Sequence, residues 1–322
     1  MNREISPGRT HRGVSLFAVL ALAAALAAAA PAAIANDKLP GLVETITAKL
    51  AARTGFAAQL LGTDMVVALN GDEAFPMASA YKVAIAGKVL ALVDQGKASL
   101  EQMVNVPPES YVPSPVIADN LIHPGVALSV ANLLEVMIVD SDNTATDSLM
   151  ALAGGPEAVT AWLREIGIEG MSVDRSTAQL SAQIQAIMEA AGSPGDSSNP
   201  AIPEFDADPR DHTTPNDMLR LLILLDVGNV LKPQSRDFLL GVMGRTVTGP
   251  GRIKGLLPVG TPVAHKTGTV GGIANDVGFV TLPDGRRFAV AIFTKSSTTP
   301  PADRDRAVAE TARILYDFFA LQ

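Results

Sequence analysis

The sequence predicts an α/β fold of the α+β kind: an antiparallel sheet made from both chain ends, flanked by helices, with an all-helical subdomain inserted between the ends. Three observations predict it. Strand-like runs stand near the two ends, at 57–69 and at 262–266, 275–282 and 287–294. Helical spacing fills the middle, and hairpin signals (Asn70-Gly71, Asp284-Gly285) accompany the strands. Strands from both ends that share one sheet leave the middle as an insertion, with a cleft between the two parts as the natural site. The expected division is 1–35 as an export signal, 36–72 and 245–322 as the sheet part, and 73–244 as the helical part.

The elements follow in order. Arg3, Arg9 and Arg12 precede an apolar run, Val14 to Ala30, and Pro31 then Ala33-Ile34-Ala35 complete the layout of a cleavable secretory signal. Residues 39–53 carry helical spacing at Leu42, Ile46 and Leu50, and 57–69 reads as strand, turn, strand. Ser79 to Leu92 is strongly helical, with Gly96 just beyond. Ser129 is a plausible N-cap for a helix to Val139. Another helix spans Thr144 to Leu152 and ends at Gly154-Gly155, and Pro156 opens the next, with Trp162 and Leu163 inward. Leu180, Ile184, Ile187 and Met188 place one apolar stripe on a helix over 178–191. Five prolines make 192–216 a loop. Helices resume at Asn216–Leu225 and Pro233–Met243, the three C-terminal strands follow, and a last helix covers 302–319.

Composition narrows the function. The 322 residues carry 25 Lys+Arg against 33 Asp+Glu, a formal charge of −8, which argues against nucleic acid as a partner. Hydrophobic residues at 48% and charged residues at 18% are those of a packed chain, not a disordered one. There is no cysteine, so disulfides, thiolate metal sites and thiol nucleophiles are excluded. Four histidines without helix-face spacing make a zinc site an unsuitable reading, and no metal or organic cofactor is expected.

Three short motifs carry chemistry. In Ser79-Ala80-Tyr81-Lys82 a hydroxyl and an amine stand three residues apart on one helix face, where a base can take the proton of a poor nucleophile. Backbone N–H groups at a helix start also face a developing oxyanion. Ser141-Asp142-Asn143 sits between two helices; Ser141 offers a second hydroxyl to relay a proton, and Asn143 an amide for substrate. In His265-Lys266-Thr267-Gly268-Thr269, Lys266 raises the local positive potential, Thr267 and Thr269 suit a carboxylate, and Gly268 lets a substrate lie against a strand edge. Each motif alone has an ordinary reading as a cap or an edge lysine. Together, once each and in this order, they are the Ser-x-x-Lys, Ser-Asp-Asn and Lys-Thr-Gly set that is itself a standard example for class A β-lactamases and penicillin-binding proteins.

With these motifs, and with FPMASAYK, SDNTATDSLM, GGPEAVTAWLREIG, TTPNDM and HKTGT in family order, the chain over 40–322 resembles a class A β-lactamase. The resemblance implies the two-part β-lactamase/transpeptidase-like fold and a set of roles. Ser79 attacks a lactam carbonyl, Lys82 accepts or shuttles its proton, and Ser141 and Lys266 serve the leaving nitrogen and the substrate carboxylate. The N–H groups of Ser79 and Thr269 form the oxyanion hole, and Arg252 grips the carboxylate. The implied partner is a β-lactam or D-alanyl-D-alanine substrate, with an exported monomer and no stable membrane insertion once the signal is cleaved.

One departure from the family pattern affects turnover. The family's Ω-loop shows Arg-x-Glu-x-x-Leu-Asn, and this chain has Arg175-Ser176-Thr177-Ala178-Gln179-Leu180-Ser181 within an enlarged loop 174–211. Thr177 stands at the general-base position and Ser181 at that of Asn, while Arg175 and Asp211 remain able to pair across the loop base. A Thr hydroxyl is no base near neutral pH, and loss of a positioned base costs about 10²–10⁴ in rate. The expectation is acylation with slow release, unless Glu189 or Glu204 reaches in or Lys82 serves both steps. The competing readings are a D-alanyl-D-alanine peptidase acting on peptidoglycan stems, and a sensor or sink that is acylated and stays so.

Overall fold

A computed structural model describes residues 1, 38–192, 200–228 and 230–322. The signal assigned to 1–35 lies outside the described residues but for Met1. Helix α1 is seen over 38–47 and continues as a 3₁₀ turn, Ala48–Leu50. Ala51, in the left-handed region at φ 42°, then turns the chain into β1, Arg53–Leu60. The helix expected over 39–53 therefore ends early, because Arg53 pairs with Lys295 across the sheet and its guanidinium meets Glu73 at 2.7 Å.

The main sheet is built from β1, β2 (Val66–Leu69), β3 (Val263–Val270), β4 (Ile273–Thr281) and β5 (Arg287–Lys295). Its order is β2-β1-β5-β4-β3, with every pair antiparallel. The N-terminal hairpin thus docks on the C-terminal meander. The period of two along each strand divides two cores. Phe56, Ala58 and Leu60 of β1 join Phe288, Val290 and Ile292 of β5 on one face, packed by Leu39 and Val43 of α1 and by Val308, Ala312, Leu315 and Phe319. The last four lie on the C-terminal helix Pro301–Ala320. Ala57, Ala289, Ala291 and Phe293 point the other way, into the core shared with the helical part.

That part is laid down between the two halves of the sheet. It holds α2 (Lys82–Asp94), α3 (Val130–Val139), α4 (Asn143–Leu152), α5 (Pro156–Glu165), α6 (Thr177–Ala190), α7 (Pro215–Asp226) and α8 (Pro233–Gly244). Nine of the thirteen residues of α2 are buried, among them Val83, Ile85, Val89 and Leu90, so this helix is apolar nearly all round and sits at the centre. Caps set the other starts. Ser129 accepts from Asn132 N, as its position suggested, and Asp142 accepts from Ala145 N, so α4 opens at Asn143. Pro156, Pro215 and Pro233 occupy first-turn positions where no backbone donor is lost.

The segment expected to be a loop over 192–216 contains more order than its prolines indicate. Pro203–Asp206 makes one helical turn, and His212–Thr213 pairs antiparallel with Phe75–Pro76. This two-residue ladder fixes the chain just before Ser79. Phe75 stacks on Phe293, with ring centroids 6.1 Å apart, and ties the ladder to β5.

Phe293 is fully buried between sheet and helices. Phe293→Ala should cost about 3–5 kcal/mol of unfolding free energy, because the void cannot collapse between two packed layers. Urea denaturation checks this.

Candidate active site

The site is assembled where the ladder at Phe75–Pro76 turns into α2. Ala78 adopts φ 45°, a strained value for a residue with a side chain, and starts a 3₁₀ turn through Tyr81. Ser79 therefore lies on a 3₁₀ turn and not on the first turn of α2. With three residues per turn, Ser79 and Lys82 still share one face. The turn is locked to the sheet. Asn275 Nδ2 donates to the carbonyls of Pro76 (2.9 Å) and Met77 (3.1 Å), and Gly268 of β3 lies so close that a Cβ there would overlap the Met77 carbonyl. The motif glycine is thus needed for packing against the serine turn as well as for an open strand edge.

Lys82 and Lys266 are both fully buried, and both reach Ser141. Lys82 Nζ donates to Ser141 O (2.6 Å), Ser141 Oγ (3.1 Å) and Asn143 Oδ1 (2.9 Å). Lys266 Nζ donates to the same Ser141 Oγ (3.0 Å) and to Thr267 O (2.8 Å). Ser141 is held in the left-handed region, φ 62°, which turns its carbonyl and hydroxyl together toward the amines. Burial pushes Lys82 down to about 7, against the pull of Asp142 and Asp147. Burial, with the charge of Lys82 nearby, pushes Lys266 well below the ordinary lysine value. Two ammonium groups sharing one hydroxyl in a dry interior favour a state with one proton removed, and Ser141 Oγ is a bridge along which the proton can pass.

Ser79 Oγ has no hydrogen-bond partner among the described residues. It opens on a cavity of about 700 Å³, lined also by Ala78, Asn143, Thr177, Thr269 and Val270. Ser79, Asn143 and Thr269 stand in the cavity wall, with Lys82, Ser141 and Lys266 behind it. No bond joins Lys82 Nζ to Ser79 Oγ, so the adjacency expected from the motif is one of face and not of contact. Thr267 is buried, its hydroxyl 2.6 Å from that of Thr248.

Arg252 is placed differently from the expected carboxylate clamp. It is buried and does not line the cavity. Its guanidinium donates to Asp305 (2.7 Å), to the carbonyls of Gly268 (3.0 Å) and Asn275 (2.9 Å), and to Thr269 Oγ1 (2.6 Å). It braces β3 from behind and reaches the cavity only through Thr269.

The fold and its motifs have counterparts. The beta-lactamase enzyme family model matches residues 41–319. The extended-spectrum beta-lactamase PER-1 of Pseudomonas aeruginosa is 33% identical over 258 residues, covering 78% of this chain and 77% of that protein. The chain belongs to this family. Among solved structures, an ancestral class A beta-lactamase superposes with a TM-score of 0.76 at 33% identity, covering 87% of this chain and 99% of that one. A beta-lactamase from Chitinophaga pinensis superposes with a TM-score of 0.76 at 29% identity, covering 87% and 98%. The chain is thus a serine β-lactamase-type hydrolase with the class A fold.

In this β-lactamase-type chain the Ω-loop region is a helix. Ser176 and Gln179 form a reciprocal capping box at the head of α6, whose fourteen residues run along the cavity. Asp147 of α4 accepts from the first backbone N–H groups, Thr177 N at 2.6 Å and Ala178 N at 2.9 Å. Thr177 Oγ1 is 2.6 Å from Tyr81 Oη, and both groups are buried. Of the two glutamates considered as substitute bases, Glu189 lines the cavity at its exposed rim, bonded to Gln185, and Glu204 does not line it. Tyr81, Asp147 and Asn275 were not singled out from sequence. Asp147 carries a faint signal, being one helical turn beyond Asn143.

The chain just before the head of α6 is clamped by charge. Arg175 donates to Asp211 (2.5 Å) and Asp208 (3.0 Å) and also to Gln183, with all three charged groups nearly buried. The Arg210 hydrogen bond, aided by Gln183 and Arg175, holds the Asp208 carboxyl below its ordinary range. That stabilisation is complete above the ordinary carboxylate pKa and is lost as pH falls from there through the lowered folded-state value. Arg175→Met should cost about 3–5 kcal/mol by leaving the buried Asp211 carboxylate without its cation, while Asp208 keeps Arg210, with faster amide exchange over 177–190. Thermal unfolding and hydrogen exchange check both outcomes.

Proposed function

We propose that the protein opens β-lactam rings through an acyl-Ser79 intermediate and releases the acyl group slowly. Ser79 Oγ adds to the lactam carbonyl as its proton passes to the neutral amine of Lys82. The C–N bond then breaks, and the ring nitrogen takes a proton from Ser141 Oγ, which Lys82 or Lys266 replenishes. The N–H groups of Ser79 and Thr269 receive the oxyanion, and Lys266, with Thr267 and Thr269, attracts the substrate carboxylate. Asn143 offers its amide to the substrate side chain. The basic-then-apolar start of the sequence supports export.

The observation that carries slow release is the Thr177–Tyr81 hydrogen bond at the general-base position, with no carboxylate among the described cavity-lining residues except Glu189, three helical turns away. A water on this side of the ester lacks a base, so the ester should persist.

A chromogenic cephalosporin should give a burst of one equivalent, followed by slow turnover and a lasting mass increase on the Ser79 peptide. Ser79→Ala should abolish labelling. Thr177→Glu should speed release, by about 10² or more if the carboxylate reaches water. Rapid continuous hydrolysis by the unaltered protein would refute slow release, and absence of labelling by any β-lactam would refute the whole assignment. Release of D-alanine from a stem peptide would move the substrate to peptidoglycan.

The pH dependence follows from Lys82. With its pKa near 7, the neutral fraction rises about tenfold per unit below pH 7 and levels above it. The acylation rate should climb and flatten in the same way, as followed by fluorescent-penicillin labelling between pH 5 and 9.

A further inference from the structure

Helix α6 gives the cavity a wall that extends well past the reacting serine. Leu180, Ile184 and Met188 form one row at intervals of four, and Ser181, Gln185 and Glu189 form the adjacent row; all six line the same cavity as Ser79. The apolar row is mostly buried in a packed cluster with Ala78, Ile202, Phe205, Val270 and Ile273, and shows the cavity its remaining edge beside Ala78 and Val270. From Thr177 to Glu189 the helix advances about 18 Å, the reach of roughly five extended residues. A fused β-lactam nucleus needs only the serine end. The apolar row offers a ligand burial without hydrogen bonds, and the polar row beside it offers an amide partner at Ser181 and Gln185. Glu189 ends the groove at solvent.

We infer that this groove selects acyl donors bearing a long, unbranched apolar acyl chain joined through an amide near Ser79, the chain lying against Leu180, Ile184 and Met188. The inference rests on the acyl-Ser79 reading and adds to it the substrate's acyl side.

The test is a series of 6-aminopenicillanic acids N-acylated with acetyl, hexanoyl and decanoyl groups, with the second-order rate of Ser79 acylation followed by intact-protein mass. A fully buried methylene is worth up to about fourfold, so the decanoyl compound should react at least about tenfold faster than the acetyl one. Met188→Glu should bring the decanoyl-to-acetyl ratio close to one, while Ile184→Val should keep most of it. If Met188→Glu does not fold, Ile184→Ser replaces it with the same expected loss of ratio. Equal rates across the series in the unaltered protein, or a full ratio in the polar variants, would overturn the groove assignment alone. Failure of every member to label Ser79 would overturn the acyl-enzyme reading together with the groove.

Discussion

Two amines that water cannot reach converge on one serine hydroxyl. Lys82 and Lys266 arrive from opposite sides of the molecule, one on the central helix α2 and the other on the edge strand β3, and Ser141 Oγ holds both at about 3 Å. Burial makes two full charges there unfavourable, so the cluster favours giving up a proton near neutral pH. The same requirement makes the surrounding packing exacting. Asn275, Gly268 and Arg252 do little chemistry themselves but hold β3 against the serine turn, and a small shift would part the amines from their shared hydroxyl.

The opposite wall is organised by a different kind of interaction. Helix α6 packs Leu180, Ile184 and Met188 into a small core with Ile202, Phe205, Val270 and Ile273, and its N-terminal end is held by the capping box, by Asp147 and by the Arg175–Asp208–Asp211 cluster. A helix held this way presents a long side to the cavity, polar on one row and apolar on the next. Thr177 at its first position is turned to Tyr81, and the two buried hydroxyls close on each other.

Much of this was legible in the sequence because it is local. The apolar stripe at Leu180, Ile184 and Met188, the cap at Ser129, the hairpin at Asp284-Gly285 and the three motifs are each set by neighbours within a few residues. The errors came where a distant partner decided the outcome. Arg53 is strand because Lys295 lies opposite it, His212–Thr213 is ordered because Phe75–Pro76 pairs with it, and Arg252 is a brace because Asp305, Gly268 and Asn275 surround it.

The amino-acid order alone therefore determined most of the helices and strands and the Ser79 hydroxyl with an amine three residues on, since these are properties of residue type and short spacing; the Thr177 departure shows only against the family pattern. Only the tertiary structure decided that Lys82 and Lys266 meet at Ser141, that the Ser79 hydroxyl faces an open cavity without touching Lys82, and that Glu189 stands at a rim far from Thr177. Burial and distance across the fold set each of these, and neither can be read from spacing along the chain.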